Sequence, residues 1–171
     1  MKFKIPVLGL VILFITLIQS TLLHNAMIYN VMPNLYIIFI VSVALLKGNR
    51  EGAVIGFFCG LAQDFAAGKV IGFYALLGMY LGLITGSVNR RLYRENVLVG
   101  IMFTFASTFF YEGLVYFLNV FMRYRIDMLY ALKTVILPEA IYNCIVSIPV
   151  YIFAIKLYKK LDKAGKSSRR Y

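Results

Sequence analysis

The chain has 171 residues, of which 61% are hydrophobic, and its formal net charge is +11. Soluble domains are only about 45–50% apolar, so this composition and a mean hydropathy of +0.81 exclude an ordinary soluble protein. Apolar runs of nearly membrane-spanning length recur along the chain, so it is predicted to be a one-domain integral membrane protein. Its positive charge is then attributed to membrane topology and not to nucleic-acid binding.

The first half of the chain predicts three membrane spans. The first covers residues 5–23 and lacks the small-residue cleavage site of a signal peptide, so we expect it to be retained. The second is opened by Pro33, which is tolerated in the first turn of a helix, and should begin near residues 27–32 and end at residue 46. The third covers residues 52–67.

The second half predicts three more spans, at residues 70–88, 97–121 and 128–157. Residues 1–157 would then form a six-helix transmembrane domain, followed by a basic cytoplasmic tail at 158–171. The fold class is all-α, that of a polytopic membrane protein.

The distribution of basic residues orients these spans. With the N-terminus in the cytoplasm, 14 of the 18 Lys and Arg residues lie on the cytoplasmic side. The other four lie outside: Lys69, Arg123, Arg125 and Lys133. Since cytoplasmic loops are enriched in Lys and Arg, both ends of the chain are predicted to be inside the cell.

Small residues recur at every fourth position of the third and fourth spans. The two stripes consist of Gly52, Gly56 and Gly60, and of Gly78, Gly82 and Gly86. Glycine on one helix face allows another helix to approach closely in a membrane. We expect the two faces to pack against each other or to receive a partner's helix.

Polar side chains concentrate in the halves of the spans that point away from the cytoplasm. The predicted outward polar pocket comprises Asn34, Gln63, Asp64, Glu112, Glu139 and Asn143. Polar groups inside membranes are costly and usually functional. Two structural alternatives are that Asp64 only caps the helix end near the surface, and that the acids pair with Lys133 or Arg123 to hold helices together.

The sequence contains none of the common catalytic motifs. It contains no HExxH, GxSxG or P-loop pattern, and its single histidine, His24, has no partner at ligand spacing. Cys59 and Cys144 lie in apolar runs and are expected to be free thiols. We therefore predict a protein that is not an enzyme and that binds neither a metal ion nor a cofactor.

Three segments resemble the MreD family of bacterial rod shape-determining proteins. They are Pro33-Asn34-Leu35, the ALLKG segment at residues 44–48, and the pattern G-x3-G-F-x2-G-L-x2-D over residues 52–64, continued by glycines at 68 and 72. The last pattern is the specific one, and the resemblance covers nearly the whole chain. The sequence departs from the family at Asn34, where aspartate is frequent, and at Gln63, where an apolar residue is usual.

This resemblance implies a non-enzymatic scaffold or regulator of the cell-elongation complex, which synthesises peptidoglycan. The implied partners are the single-span protein MreC, the actin-like MreB, RodA with its transpeptidase, and a possible second copy of the chain. The implied fold is similar to the six-helix substrate-binding subunits of energy-coupling-factor transporters. The alternative function is accordingly a solute-binding subunit of a vitamin-type transporter, which would use the outward pocket.

Overall fold

The computed structural model describes residues 4–22, 31–67, 71–88, 96–123 and 128–167, and the elements of this part of the chain are all helices, as predicted. The helices are α1 (Lys4–Leu17), α2 (Leu35–Lys47), α3 (Asn49–Ala67), α4 (Phe73–Ser87), α5 (Val97–Arg123) and α6 (Leu137–Ser167). A π-helical turn, Ile18–Leu22, extends α1. A short helix, Met128–Ala131, and a second π-helical turn, Leu132–Ile136, lead into α6 without a break.

Helix α2 is the centre of the bundle. Every residue from Leu35 to Leu46 is buried, and α2 contacts α3, α4, α5 and α6. A helix that is apolar on all sides is stable only when it is surrounded, and here the other helices surround it. At 13 residues, α2 is about 20 Å long at 1.5 Å per residue.

The expected start of the second span near residues 27–32 is wrong where the structure can test it, because α2 begins at Leu35. Asn34 is the N-cap residue, and its side-chain oxygen accepts a hydrogen bond from the Ile37 backbone N–H at 3.4 Å. This cap satisfies a donor that the helix itself leaves unpaired. Residues 23–30 lie outside the described part of the chain.

Glycines with positive φ lie at the starts of the two helices that follow. Gly48, with φ 93° and ψ −175°, lies between α2 and α3, so α3 begins at Asn49 and not at residue 52. Gly72, with φ 101°, immediately precedes α4. Positive φ values of this kind favour glycine because it lacks a Cβ atom. The predicted turn at residues 68–69 lies outside the described residues.

The bundle has two helical stretches that are long and apolar enough to cross a membrane, Val97–Leu118 and Leu129–Leu161, among the described residues. Pro6–Thr21, Leu35–Lys47 and Phe73–Ser87 are apolar but shorter. Helix α6 continues beyond residue 157 to Ser167.

Candidate functional site

A polar cavity lies at the end of the bundle where α1 ends and α2 begins. Its volume is about 490 Å³. Its walls are formed by Gln19, Ser20, Val31, Met32, Asn34, Tyr36, Gln63, Ala66, Ala67, Glu112, Val135 and Glu139. The cavity therefore gathers side chains from α1, α2, α3, α5 and the α6 region around the start of one central helix.

Four of the six residues predicted for an outward polar pocket line this cavity: Asn34, Gln63, Glu112 and Glu139. Gln63 is held by Tyr111, whose hydroxyl donates to Gln63 Oε1 at 3.1 Å. Asn34 Nδ2 donates to Glu112 Oε1 at 3.4 Å. The structure thus brings together residues that are far apart in the sequence.

Asn143 lies behind the cavity wall. Its side chain is fully buried, and its Oδ1 atom accepts the Asn34 backbone N–H at 2.7 Å. Its Nδ2 atom donates to the Thr108 hydroxyl at 3.0 Å. Asn143 therefore connects α6 to the start of α2 and to α5, and its role in the site is to position Asn34.

The two glutamates of the cavity lie close to each other. Glu112 projects from α5 and Glu139 from α6, and their carboxyl groups lie within hydrogen-bonding reach of each other. Glu139 is buried, and its carboxyl group lies near the Asn143 side chain. Lys133, one of the cations expected to pair with these acids, is exposed and does not line the cavity. The side chain of the other, Arg123, lies outside the described part of the structure.

Gln19 is a cavity residue that we did not include in the predicted pocket. Its Nε2 atom donates to the Pro33 carbonyl oxygen, and its Oε1 atom accepts the Leu35 N–H, both at 3.0 Å. These bonds join the end of α1 to the start of α2. The sequence feature that could have identified Gln19 is its carboxamide group, which lies near the non-cytoplasmic end of the first predicted span.

Asp64 does not line the cavity. It is buried at the end of α3, where Oδ2 accepts the N–H groups of Gly72 at 2.8 Å and Ala75 at 3.1 Å. Oδ1 accepts the Tyr74 N–H at 2.9 Å. A negative charge at the N-terminus of a helix pairs with its free N–H groups and its dipole. The structure thus gives Asp64 the capping role of the structural alternative, at the start of α4, but the expected position near the surface is wrong because the residue is buried.

The glycine stripes of α3 and α4 pack against each other. A Cβ atom on Gly56 would lie 2.0 Å from the Gly78 carbonyl oxygen, and one on Gly82 would lie 2.1 Å from the Gly52 carbonyl oxygen. Gly60 meets the Tyr74 carbonyl and Gly86 meets the Asn49 backbone at similar distances. Of the two arrangements considered for these faces, the structure shows the intramolecular one. A partner helix could reach the glycines only if α3 and α4 separated.

The chemistry that the cavity can support is binding. Its polar lining consists of carboxamide, hydroxyl and carboxyl groups. No group of three or more His, Cys, Asp or Glu residues is placed to hold a metal ion in the part of the chain that the structure describes. A cavity of this size with a few convergent polar groups is typical of a small-molecule or side-chain binding site.

The family model described as rod shape-determining protein MreD matches residues 1–161 of the chain. Comparison with curated proteins and with solved structures gives no significant match. The matched range includes the whole cavity lining and both glycine stripes.

Proposed function

The chain belongs to the MreD family of rod shape-determining proteins, and from this premise we propose that it is a non-enzymatic scaffold and regulator of the membrane complex that builds the lateral cell wall. The family implies a role in rod shape determination, and it is not known as an enzyme family.

The chain is proposed to cross the cytoplasmic membrane six times, with both ends in the cytoplasm. The outer surface of the bundle supports a lipid environment, because large apolar side chains such as Leu98 and Phe110 on α5 are 64% and 77% exposed. Apolar surface of this kind favours aggregation in water but is well solvated by lipid. The excess of basic residues on one side supports the orientation. In this orientation the polar cavity opens to the outside of the cell.

The proposed partner is a single-span membrane protein of the MreC type, and its contact is placed in the polar cavity. The observation that carries this assignment is the cavity itself, which is open and lined by polar groups from five helical segments. The glycine stripes support the site indirectly, because they hold α3 against α4 and so fix one wall. The wider complex would contain MreB, RodA and its transpeptidase, and a second copy of the chain is a further candidate partner.

The second candidate function is a solute-binding subunit of a vitamin-type transporter. The specific observation in its favour is the cavity volume of about 490 Å³, which falls in the range of small-molecule sites. The similarity to energy-coupling-factor subunits, on which this alternative depends, stays a prediction. A tightly bound small molecule together with ATPase subunits would be its signature.

The test is a detergent pull-down of the tagged chain, with mass spectrometry of retained proteins and small molecules. The structure offers a variant that fills the cavity, Ala67→Phe, because Ala67 is exposed at the end of α3 and lines the cavity. Ala106→Phe is the matched control, since Ala106 is an exposed alanine on α5 outside the cavity lining.

We expect the wild-type chain and Ala106→Phe to retain the single-span protein and Ala67→Phe to lose it. In cells that lack the native protein, the wild-type chain and Ala106→Phe should restore rod shape, and Ala67→Phe should not. Recovery of a stoichiometric small molecule with ATPase subunits, and no single-span protein, would show that the scaffold proposal is wrong.

A further inference from the structure

No cationic side chain lines the cavity around the carboxyl pair in the part of the chain that the structure describes. Glu112 of α5 and Glu139 of α6 line the same cavity and lie close to each other. The other polar side chains that line the cavity are the uncharged Gln19, Ser20, Asn34 and Gln63, together with Tyr36. Within the described lining, therefore, the only charge that the residue types can supply is negative.

Two carboxylates in contact repel each other, so such a pair holds together only around a shared proton or a cation. The repulsion is strong because the site lies within the bundle, where the effective dielectric constant is lower than in water. An incoming cation replaces the shared proton and forms hydrogen bonds to both carboxylates, and such charge-assisted bonds are the stronger class. The cavity is wide enough to admit a side chain, and both acids are on its wall.

We propose that the Glu112–Glu139 pair receives one cationic side chain, a lysine ammonium or an arginine guanidinium, from the non-cytoplasmic segment that follows the membrane span of the partner protein. This inference rests on the proposed function and adds the chemical group that is recognised. A lysine or arginine fits the site because its aliphatic stem passes the apolar lining residues Val31, Met32 and Val135 while its charged end reaches the acids.

The experiment measures the retention of the MreC-type partner by tagged variants of the full chain. The double variant Glu112→Gln with Glu139→Gln keeps the shape of both side chains and removes their charge. The control is Glu51→Gln, because Glu51 is in the first turn of α3, at the opposite end of that helix from the cavity residues Gln63, Ala66 and Ala67. Each variant is also tested for thermal unfolding in detergent.

We expect partner retention to fall by at least about tenfold in the double variant and to stay unchanged in the control. On the partner's side, each Lys and Arg that follows its span is replaced by Glu in turn. One replacement should abolish retention by the wild-type chain, and Glu139→Lys should restore it. The substitutions in the partner are first tested against the wild-type chain. This part of the experiment therefore remains informative if the double glutamine variant is unstable.

Three outcomes would overturn the inference. Normal retention by a folded double variant would mean that the pair is held by a proton alone. The second is normal retention of the partner after each Lys and Arg that follows its span has been replaced, which would mean that none of them binds the pair. The third is a small amine found in the cavity, which would assign the cation to another source. If the wild-type chain retains no single-span partner at all, the proposed function fails first.

Discussion

Gly56 of α3 lies against Gly78 of α4 so closely that a Cβ atom on either residue would come within 2.4 Å of the other's carbonyl oxygen. The contact is between backbones, so no flexible side chain can move aside to relieve a clash. This pair is one step of a longer interface, in which Gly52 and Gly60 of α3 also meet the backbone of α4. The close packing of these two helices fixes the cavity wall on which Gln63 is placed.

The first prediction concerns this interface. Gly56→Ala should lower the free energy of unfolding by about 3 kcal/mol or more, because the added methyl group forces two backbones apart. Thermal unfolding in detergent measures the effect, with a thiol-reactive dye as the probe. Cys59 is fully buried in α3 between Gly56 and Gly60, and a Cys144→Ser background leaves it as the only thiol of the chain.

The matched control for this prediction is Gly113→Ala. Gly113 is also within a helix, but a Cβ atom there meets nothing within 4 Å. Alanine is favoured over glycine in helices by roughly 0.5–1 kcal/mol, so this variant should be neutral or slightly more stable. Equal unfolding temperatures for Gly56→Ala and Gly113→Ala would contradict the close packing of α3 and α4.

The second prediction concerns Asp64 as the cap of α4. Asp64→Ala leaves three N–H groups without their acceptor, and we expect a loss of about 2–4 kcal/mol. Asp64→Asn keeps one of the two oxygens and should fall between alanine and the wild type. The dye assay ranks the three proteins. An Asp64→Asn variant that is fully stable but loses its partner would instead indicate a direct binding role.

The third prediction concerns the bond between Asn143 and Thr108. Asn143→Ala removes contacts to α2 and to α5 and should cost about 2–3 kcal/mol. Thr108→Val should cost less, because only the hydroxyl group is lost, and Thr108→Ser should be nearly neutral. In a double-mutant cycle, the coupling between Asn143→Ala and Thr108→Val should be about 1 kcal/mol. Strict additivity of the two changes would refute the bond.

The fourth prediction separates backbone conformation from space. At Gly72 a Cβ atom meets nothing within 4 Å, but φ is +101°. Gly72→Ala should therefore destabilise the protein by about 1–2 kcal/mol through backbone strain alone. Gly72→Asn should cost less, since asparagine tolerates positive φ better than alanine. If alanine and asparagine have the same effect, the turn before α4 does not need this conformation.

Much of the fold follows from local patterns in the sequence. The apolar runs located the helices α1 to α6 of the described residues, and the bounds of α5 are close to those predicted because its run is long and contains no proline. The start of α2 was misplaced, because its apolar stretch is shorter than a membrane span. The prediction extended the helix toward residue 27 to reach the length of a membrane span. A helix enclosed by protein does not need that length, because it does not cross the hydrocarbon region alone.

The sequence by itself determined the all-α class, the family and the polar residues of one end of the bundle. Only the tertiary structure decided which of these residues meet. It separates Asp64 from the cavity, because the free N–H groups of α4 lie next to its carboxylate, and it joins Glu112 to Glu139, which are 27 positions apart. It also pairs the two glycine stripes. A helical repeat shows which residues share a face, but the packing of whole helices determines what that face contacts.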